Sequence, residues 1–292
     1  MKMWGSVTLA GALASCGRLG FDPNPPSVDA SVDAIVDGRA ALQCEPWSTP
    51  TPIAVASTVE SERSPMLSGD GLTLMWNLSG REQISRRATR GEAFAIANVV
   101  PSLTYIPAFD QTFTSNGLEF IYSVSTDPSC PLHTLTTVAF QFDQPREMYP
   151  QLCTLGLTGL ALVGDGRVMY SNSVPNGGYG QVFRSNRATT SEVFSSATVV
   201  PGLPDMIGFT SVRPDELELF FETPNPNQVD MFVTTRAATT DSWGPPIALS
   251  FNEAAFDDED PAITDDGTEL VFASNRPGAG AYDLYVVTRT CR

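Results

Sequence analysis

The sequence predicts an all-β fold: a five-bladed β-propeller whose last blade is completed by a strand from the N-terminal edge of the domain. Three observations predict it. A unit of about fifty residues recurs along the chain, as repeat architectures require. Each unit reads as strand-like runs broken by Asp-Gly or similar turns. The last unit lacks a fourth strand, and the first segment of the domain has the pattern of that missing strand.

Composition sets the frame. The 292 residues carry 17 Lys+Arg against 33 Asp+Glu, a formal net charge of −16. That balance argues against nucleic acid as a partner, because phosphate binding needs a basic face. With 23 Gly and 23 Pro the chain is rich in turns, and 42% hydrophobic residues suffice for a packed core. No apolar run reaches the roughly 18 residues of a membrane-spanning helix. The single histidine, His133, argues against His-rich metal centres and most His-based catalysis.

Residues 1–15 read as a secretory signal. Lys2 gives the positive start, and the run from Val7 to Ala14 is the apolar stretch. Leu13-Ala14-Ser15-Cys16 resembles the bacterial lipobox, which implies cleavage before Cys16 and lipid attachment to its thiol. Two or three acyl chains anchor stably where one does not. Gly17 after the cysteine resembles the pattern of outer-membrane sorting in enteric bacteria. Residues 16–42 then form a tether, Pro-rich over Phe21–Pro26 and carrying Asp29, Asp33 and Asp37 at four-residue intervals. These carboxylates lack the Gly turn of a calcium loop, so the segment reads as a solvated, self-repelling linker.

The domain spans 43–292. Its clearest unit runs from Asp260-Pro261 through Asp265-Asp266-Gly267 and Leu270-Val271-Phe272 to Tyr282-Asp283-Leu284-Tyr285. Equivalent turns stand at Gly71, Gly117 and Gly166, with Glu216 where a glycine is expected. After the third strand, Arg87, Arg187 and Arg236 precede Phe94, Phe194 and Trp243. Trp243-Gly244-Pro245-Pro246-Ile247 has a twin in Trp47-Ser48-Thr49-Pro50-Thr51-Pro52-Ile53, which places the twin as the closing strand. Closure removes the exposed strand edges that promote aggregation. The units resemble the WD40-like propeller repeat of the TolB family over 43–292. That resemblance implies a non-catalytic envelope protein; a six-bladed ring is the alternative count.

Cys44, Cys130, Cys153 and Cys291 remain for disulfides once Cys16 is lipidated. Aligning Trp47 with Trp243, and Arg289 with Arg236, places Cys44 opposite Cys291. Cys130 and Cys153 then pair by elimination, and buried free thiols are the alternative.

No catalytic set stands out: neither a Gly-x-Ser-x-Gly elbow nor a phosphate loop is present. Asp70, Asp165 and Asp266 read as turn residues, and the run Asp257-Asp258-Glu259-Asp260 is ordinary for this repeat, so no metal or cofactor is expected. Five-bladed propellers include glycosidases with carboxylates at the channel mouth, and Asp110, Asp205 and Asp260 precede predicted inner strands. The expected function is therefore a lipid-anchored binding or scaffold module of the cell envelope, with a protein or glycan partner. The alternative is a carbohydrate-active hydrolase. The candidate binding residues are Arg63, Tyr105, Asp110, Arg213, Asp260, Arg276 and Tyr282.

Overall fold

A computed structural model describes residues 35–36, 39–40, 43–100, 108–117, 119–124, 132–138, 141–142, 146–147, 157–173 and 179–292. The signal segment, Cys16, Tyr105, Cys130 and Cys153 lie outside them. A hairpin of β1 (Ile35–Val36) and β2 (Arg39–Ala40) precedes β3 (Thr51–Pro52). The first sheet is β4 (Glu62–Leu67), β5 (Thr73–Leu78), β6 (Arg81–Arg86) and β7 (Asn98–Val99). The second holds β8 (Ala108–Phe113), β9 (Glu119–Val124), β10 (Leu132–Val138), β11 (Gln141–Phe142) and β12 (Arg146–Glu147). The third is β13 (Leu157–Val163), β14 (Val168–Ser173), β15 (Gln181–Asn186) and β16 (Thr198–Val199). The fourth is β17 (Thr210–Val212), β18 (Glu218–Asn225), β19 (Gln228–Thr235) and β20 (Ile247–Ala248). The last joins β21 (Asp258–Ile263), β22 (Glu269–Ser274) and β23 (Asp283–Thr288) to β3.

All pairings in these sheets are antiparallel, and the order within each follows the chain except where β3 closes the last. The fold is an all-β propeller. Among the described residues, four sheets are four-stranded blades, where the sequence predicts five and allows six. The second is five-stranded, because β10 pairs with both β11 and β12. The first strands β4, β8, β13, β17 and β21 touch in turn, and β21 returns to β4.

Turn chemistry explains the hairpins. Gly71, Gly117, Gly166 and Gly267 have φ between 67° and 82°, a region that costs a side chain energy and glycine nothing. Glu216 adopts φ 55° at the same repeat position, and its carboxylate repays the strain through bonds described below. Asp70, Asp165, Asp215 and Asp266 each accept the backbone N–H two residues on. These acids are turn residues, as their sequence context predicts.

Strand alternation sends side chains to opposite faces of each sheet, so every sheet packs on two neighbours. Leu74 and Trp76 of the first sheet meet Ala262, Val271 and Leu284 of the last. Met66 and Met75 meet Phe113, Phe120 and Tyr122. Ile121 packs on Leu160, Leu162 and Met169, and Tyr170 on Leu219 and Phe221. Phe220 completes the round against Leu270 and Phe272.

The arginines after the third strands tie sheet to sheet. Nε of Arg87, Arg187, Arg236 and Arg289 donates to the carbonyl of Gly71, Gly166, Glu216 and Gly267, at 2.7–2.8 Å. Their guanidinium carbons stand 4.3–4.4 Å from the rings of Phe94, Phe194, Trp243 and Trp47. Three of them pair with a glutamate of the preceding sheet: Arg87 with Glu269, Arg187 with Glu119, Arg289 with Glu218. The third sheet has Val168 at the glutamate position, and Glu216 supplies the missing carboxylate, 3.6 Å from Arg236 and paired with Arg184.

Trp47 therefore repeats the role of Trp243, as the twin segments predict. A disulfide joins Cys44 to Cys291. Thr51 pairs with Val286 and Pro52 with Tyr285, so β3, ahead of the first blade, and the chain's last strand β23 share one sheet.

Candidate functional site

The first strands surround a central cavity of about 80 Å³. One end is drawn in by backbone hydrogen bonds between successive sheets: Asp265 N–H to Gly69 O, Gly69 N–H to Ser115 O, and Ser115 N–H to Gly164 O. The Asp265 carboxylate reaches over Gly69 to accept the Ser115 hydroxyl at 2.7 Å. At the opposite end the strands begin, and acidic and aromatic side chains gather there.

Asp260 lies 5% exposed on β21 with φ 57°. Its Oδ2 accepts the Ser64 N–H at 2.8 Å, and its own N–H donates to Glu222 Oε2 at 2.6 Å. Glu222 on β18 is buried beside Gly208, where an added Cβ would overlap the carboxylate. Glu259 pairs with Arg63. The Arg63 guanidinium lies 3.6 Å from the centre of the Tyr282 ring. The Tyr282 hydroxyl donates to Asp257 Oδ2 at 2.9 Å, and Asn275 Nδ2 donates to the same oxygen at 2.9 Å.

Burial dominates the electrostatics. It pushes Glu222 well above the usual carboxylate range, with the charges of Asp260 and Glu259 adding to the rise. Glu259 is pushed up to about 8 by burial and by Asp260, against the pull of Arg63. Asp260 also rises through burial. The phenols of Tyr179 and Tyr282 are raised by burial and by the neighbouring carboxylates. The mouth thus gathers carboxyls raised by burial around the Arg63 guanidinium, whose side chain is 44% exposed.

Of the residues singled out from sequence, the structure brings Arg63, Asp260 and Tyr282 together here. Asp110 lies on β8 at the repeat position of Asp260, seven residues before its turn glycine. Asp205 accepts from Gln181 Nε2 at 2.9 Å in the loop before β17. Arg213 and Arg276 are corrections: the sequence offers them as exposed anchors, and both are buried. Arg213 is 8% exposed near the hairpin turns, 2.9 Å from Asp215. Arg276 is 6% exposed and forks onto Asp258, because a buried acid within the last sheet requires a counter-charge. Sequence reasoning missed Glu222, whose only signal was an acid directly after the apolar run Leu219–Phe221. It also set Glu259 aside as part of an ordinary acidic run.

Among the described residues no group of three or more His, Cys, Asp or Glu is arranged to hold a metal ion.

No family model matches the chain, and no curated protein matches it. Solved structures do. The α-L-arabinofuranosidase PaAbf62A from Podospora anserina is 12% identical with a TM-score of 0.55, over 84% of this chain and 96% of that one. The catalytic domain of the Coprinopsis cinerea GH62 α-L-arabinofuranosidase is 11% identical with a TM-score of 0.52, over 84% and 97%. TolB from Acinetobacter baumannii is 14% identical with a TM-score of 0.48, over 80% and 56%. At these identities the likeness is one of fold.

Proposed function

We propose that this chain is a lipid-anchored protein of the bacterial cell envelope, held at the outer membrane through Cys16, and that its propeller is a non-catalytic module binding a protein or glycan. All five sheets act as blades in this reading, the five-stranded second one included, since β8 lies between β4 and β13. One observation carries the binding reading. The deepest acids of the mouth, Glu222 and Asp260, are spent on the backbone of neighbouring strands, where Glu222 fixes Asp260 and Asp260 fixes Ser64. That leaves Arg63 and Tyr282 as the reachable surface of a rigid rim, and arginine and tyrosine are favoured anchors of interfaces. A photo-crosslinking residue placed at Tyr282 in the full-length lipoprotein, expressed in intact cells, tests this. One discrete adduct is expected from Tyr282 and none from Arg167 at the hairpin-turn end. Equal labelling from both positions overturns the reading.

A second reading, a carbohydrate-active hydrolase, is favoured by one feature: the raised acids Glu259, Asp260 and Glu222 share a single mouth, and raised carboxyls suit general acid catalysis. The arabinofuranosidase neighbours make arabinose-bearing polysaccharides the first substrates to try. Turnover lost in Asp260→Ala and in Asp110→Ala would favour this reading; absence of turnover across the panel removes it.

A further inference from the structure

Among the described residues, ion pairs join four of the five seams, and the seam between the first and second sheets is joined through a buried carboxylate. Arg87–Glu269, Arg187–Glu119, Arg184–Glu216 and Arg289–Glu218 each join adjacent sheets across the remaining seams. In the first sheet, Thr73 stands where the second, fourth and last sheets place that glutamate. Glu82 of β6, which is 1% exposed, bridges this seam. Its Oε1 accepts from Asn77 Nδ2 at 2.7 Å, and its Oε2 accepts from Gln111 Nε2 of β8 at 2.5 Å. The side chains bonded to it are Asn77 from β5 and Gln111 from β8, and Tyr122 of β9 stands opposite Gln111 in register. Burial pushes the Tyr122 phenol up to about 12, so it is neutral. Among the described residues no cation pairs with Glu82.

We propose that Glu82 makes this seam a proton-operated joint, tight when its carboxyl is neutral and loosened when it is ionised. The physical reason is the cost of burying an ion. An ionised carboxyl without a counter-charge is strongly disfavoured inside a protein, and the two amide bonds from Asn77 and Gln111 offset only part of that cost. Burial raises Glu82 to about 7, the amide bonds from Asn77 and Gln111 opposing it, so the change falls within the range an envelope protein meets. Gln111 lines the central cavity, and loosening this joint therefore acts on the wall of the channel. The joint stands apart from the binding reading above, since it involves neither Arg63 nor Tyr282.

Hydrogen exchange of the full chain between pH 5.5 and 8.5, corrected for the intrinsic pH dependence, tests it. The Val100 amide, which donates to the Glu82 carbonyl, and the amides of β8 are expected to lose protection as pH rises through 7. A carboxyl moved from 4.5 to about 7 is worth on the order of 300-fold in all, of which on the order of 30-fold falls between pH 5.5 and 8.5. Amides of β22 should not follow. Glu82→Gln, neutral at every pH and of the same shape, should hold the seam protected throughout and flatten the matching part of the pH profile of the denaturation midpoint. An unchanged pH response in Glu82→Gln, or a wild-type seam no more pH-sensitive than β22, overturns the proposal.

Discussion

Truncating Arg87 probes the joint between the chain's first and last repeats. Its guanidinium is sandwiched between the Gly71 carbonyl, 2.8 Å from Nε, the Arg90 carbonyl at 3.2 Å, the Glu269 carboxylate and the Phe94 ring. Arg87 and Glu269 side chains are 7% and 4% exposed. Arg87→Ala removes the cation and leaves Glu269 in the interior, a change that costs about 3–5 kcal/mol for a buried pair. Arg90 also acts on Glu269 and stays behind, so the lower end, about 3 kcal/mol, is expected. For a domain of this size that lowers Tm by roughly 6–12 °C. Arg87→Lys should recover only part, since an ammonium cannot reproduce the forked donors. Urea denaturation followed by tryptophan fluorescence gives the free energy. A loss below about 1 kcal/mol, the value of an exposed pair, would refute the claim that these arginines hold the sheets together.

Three further outcomes follow from the same geometry. Cys44→Ser opens a loop whose ends are 247 residues apart, which the chain-entropy model values at about 5 kcal/mol; a denaturation midpoint unmoved by the substitution or by reductant would contradict it. Stability should fall from about pH 5 to pH 9, because Glu82, Glu222, Glu259, Asp258 and Asp260 are all raised in the folded state. The folded chain then binds more protons than the unfolded one, and raising pH favours unfolding. Below about pH 4 the sign reverses, since Asp266, at about 2, and Glu216 are lowered; a midpoint flat between pH 5 and 9 would count against the burial of these acids. Gly208→Ala drives a methyl into the Glu222 carboxylate and should cost about 1–3 kcal/mol, whereas Gly80→Ala, which meets open space, should cost only the strain of its positive φ.

Much of the ring was legible because its signals are local and repeated. Glycine at the hairpin turns, Asp beside it, and Arg before an aromatic each report a backbone or stacking requirement within one unit. The Trp47–Trp243 likeness carried the non-local closure, because the same arginine–indole contact recurs at both places. The second unit departed from pattern since β10 pairs with β11 and β12 besides β9, and nothing in its spacing marks the extra strand. The mouth was half legible. Asp260 stands next to a proline at the start of a strand and announces itself, whereas Glu222 comes from a different sheet, four residues after Glu218 on the same strand. Arg213 and Arg276 misled for a related reason: a loop arginine and a buried counter-ion look alike until the acid beside them is placed.

The most direct test of the closed ring uses the register of its seam. Thr51 stands opposite Val286, and facing residues on paired strands lie within reach of a disulfide. In a Cys44→Ser, Cys291→Ser background, a Thr51→Cys, Val286→Cys pair should oxidise to a single intramolecular bond, mapped by mass spectrometry, while Thr51→Cys with Thr198→Cys should not. Failure of the first pair to bond, or equal bonding in the control, would contradict closure of the ring by its two ends.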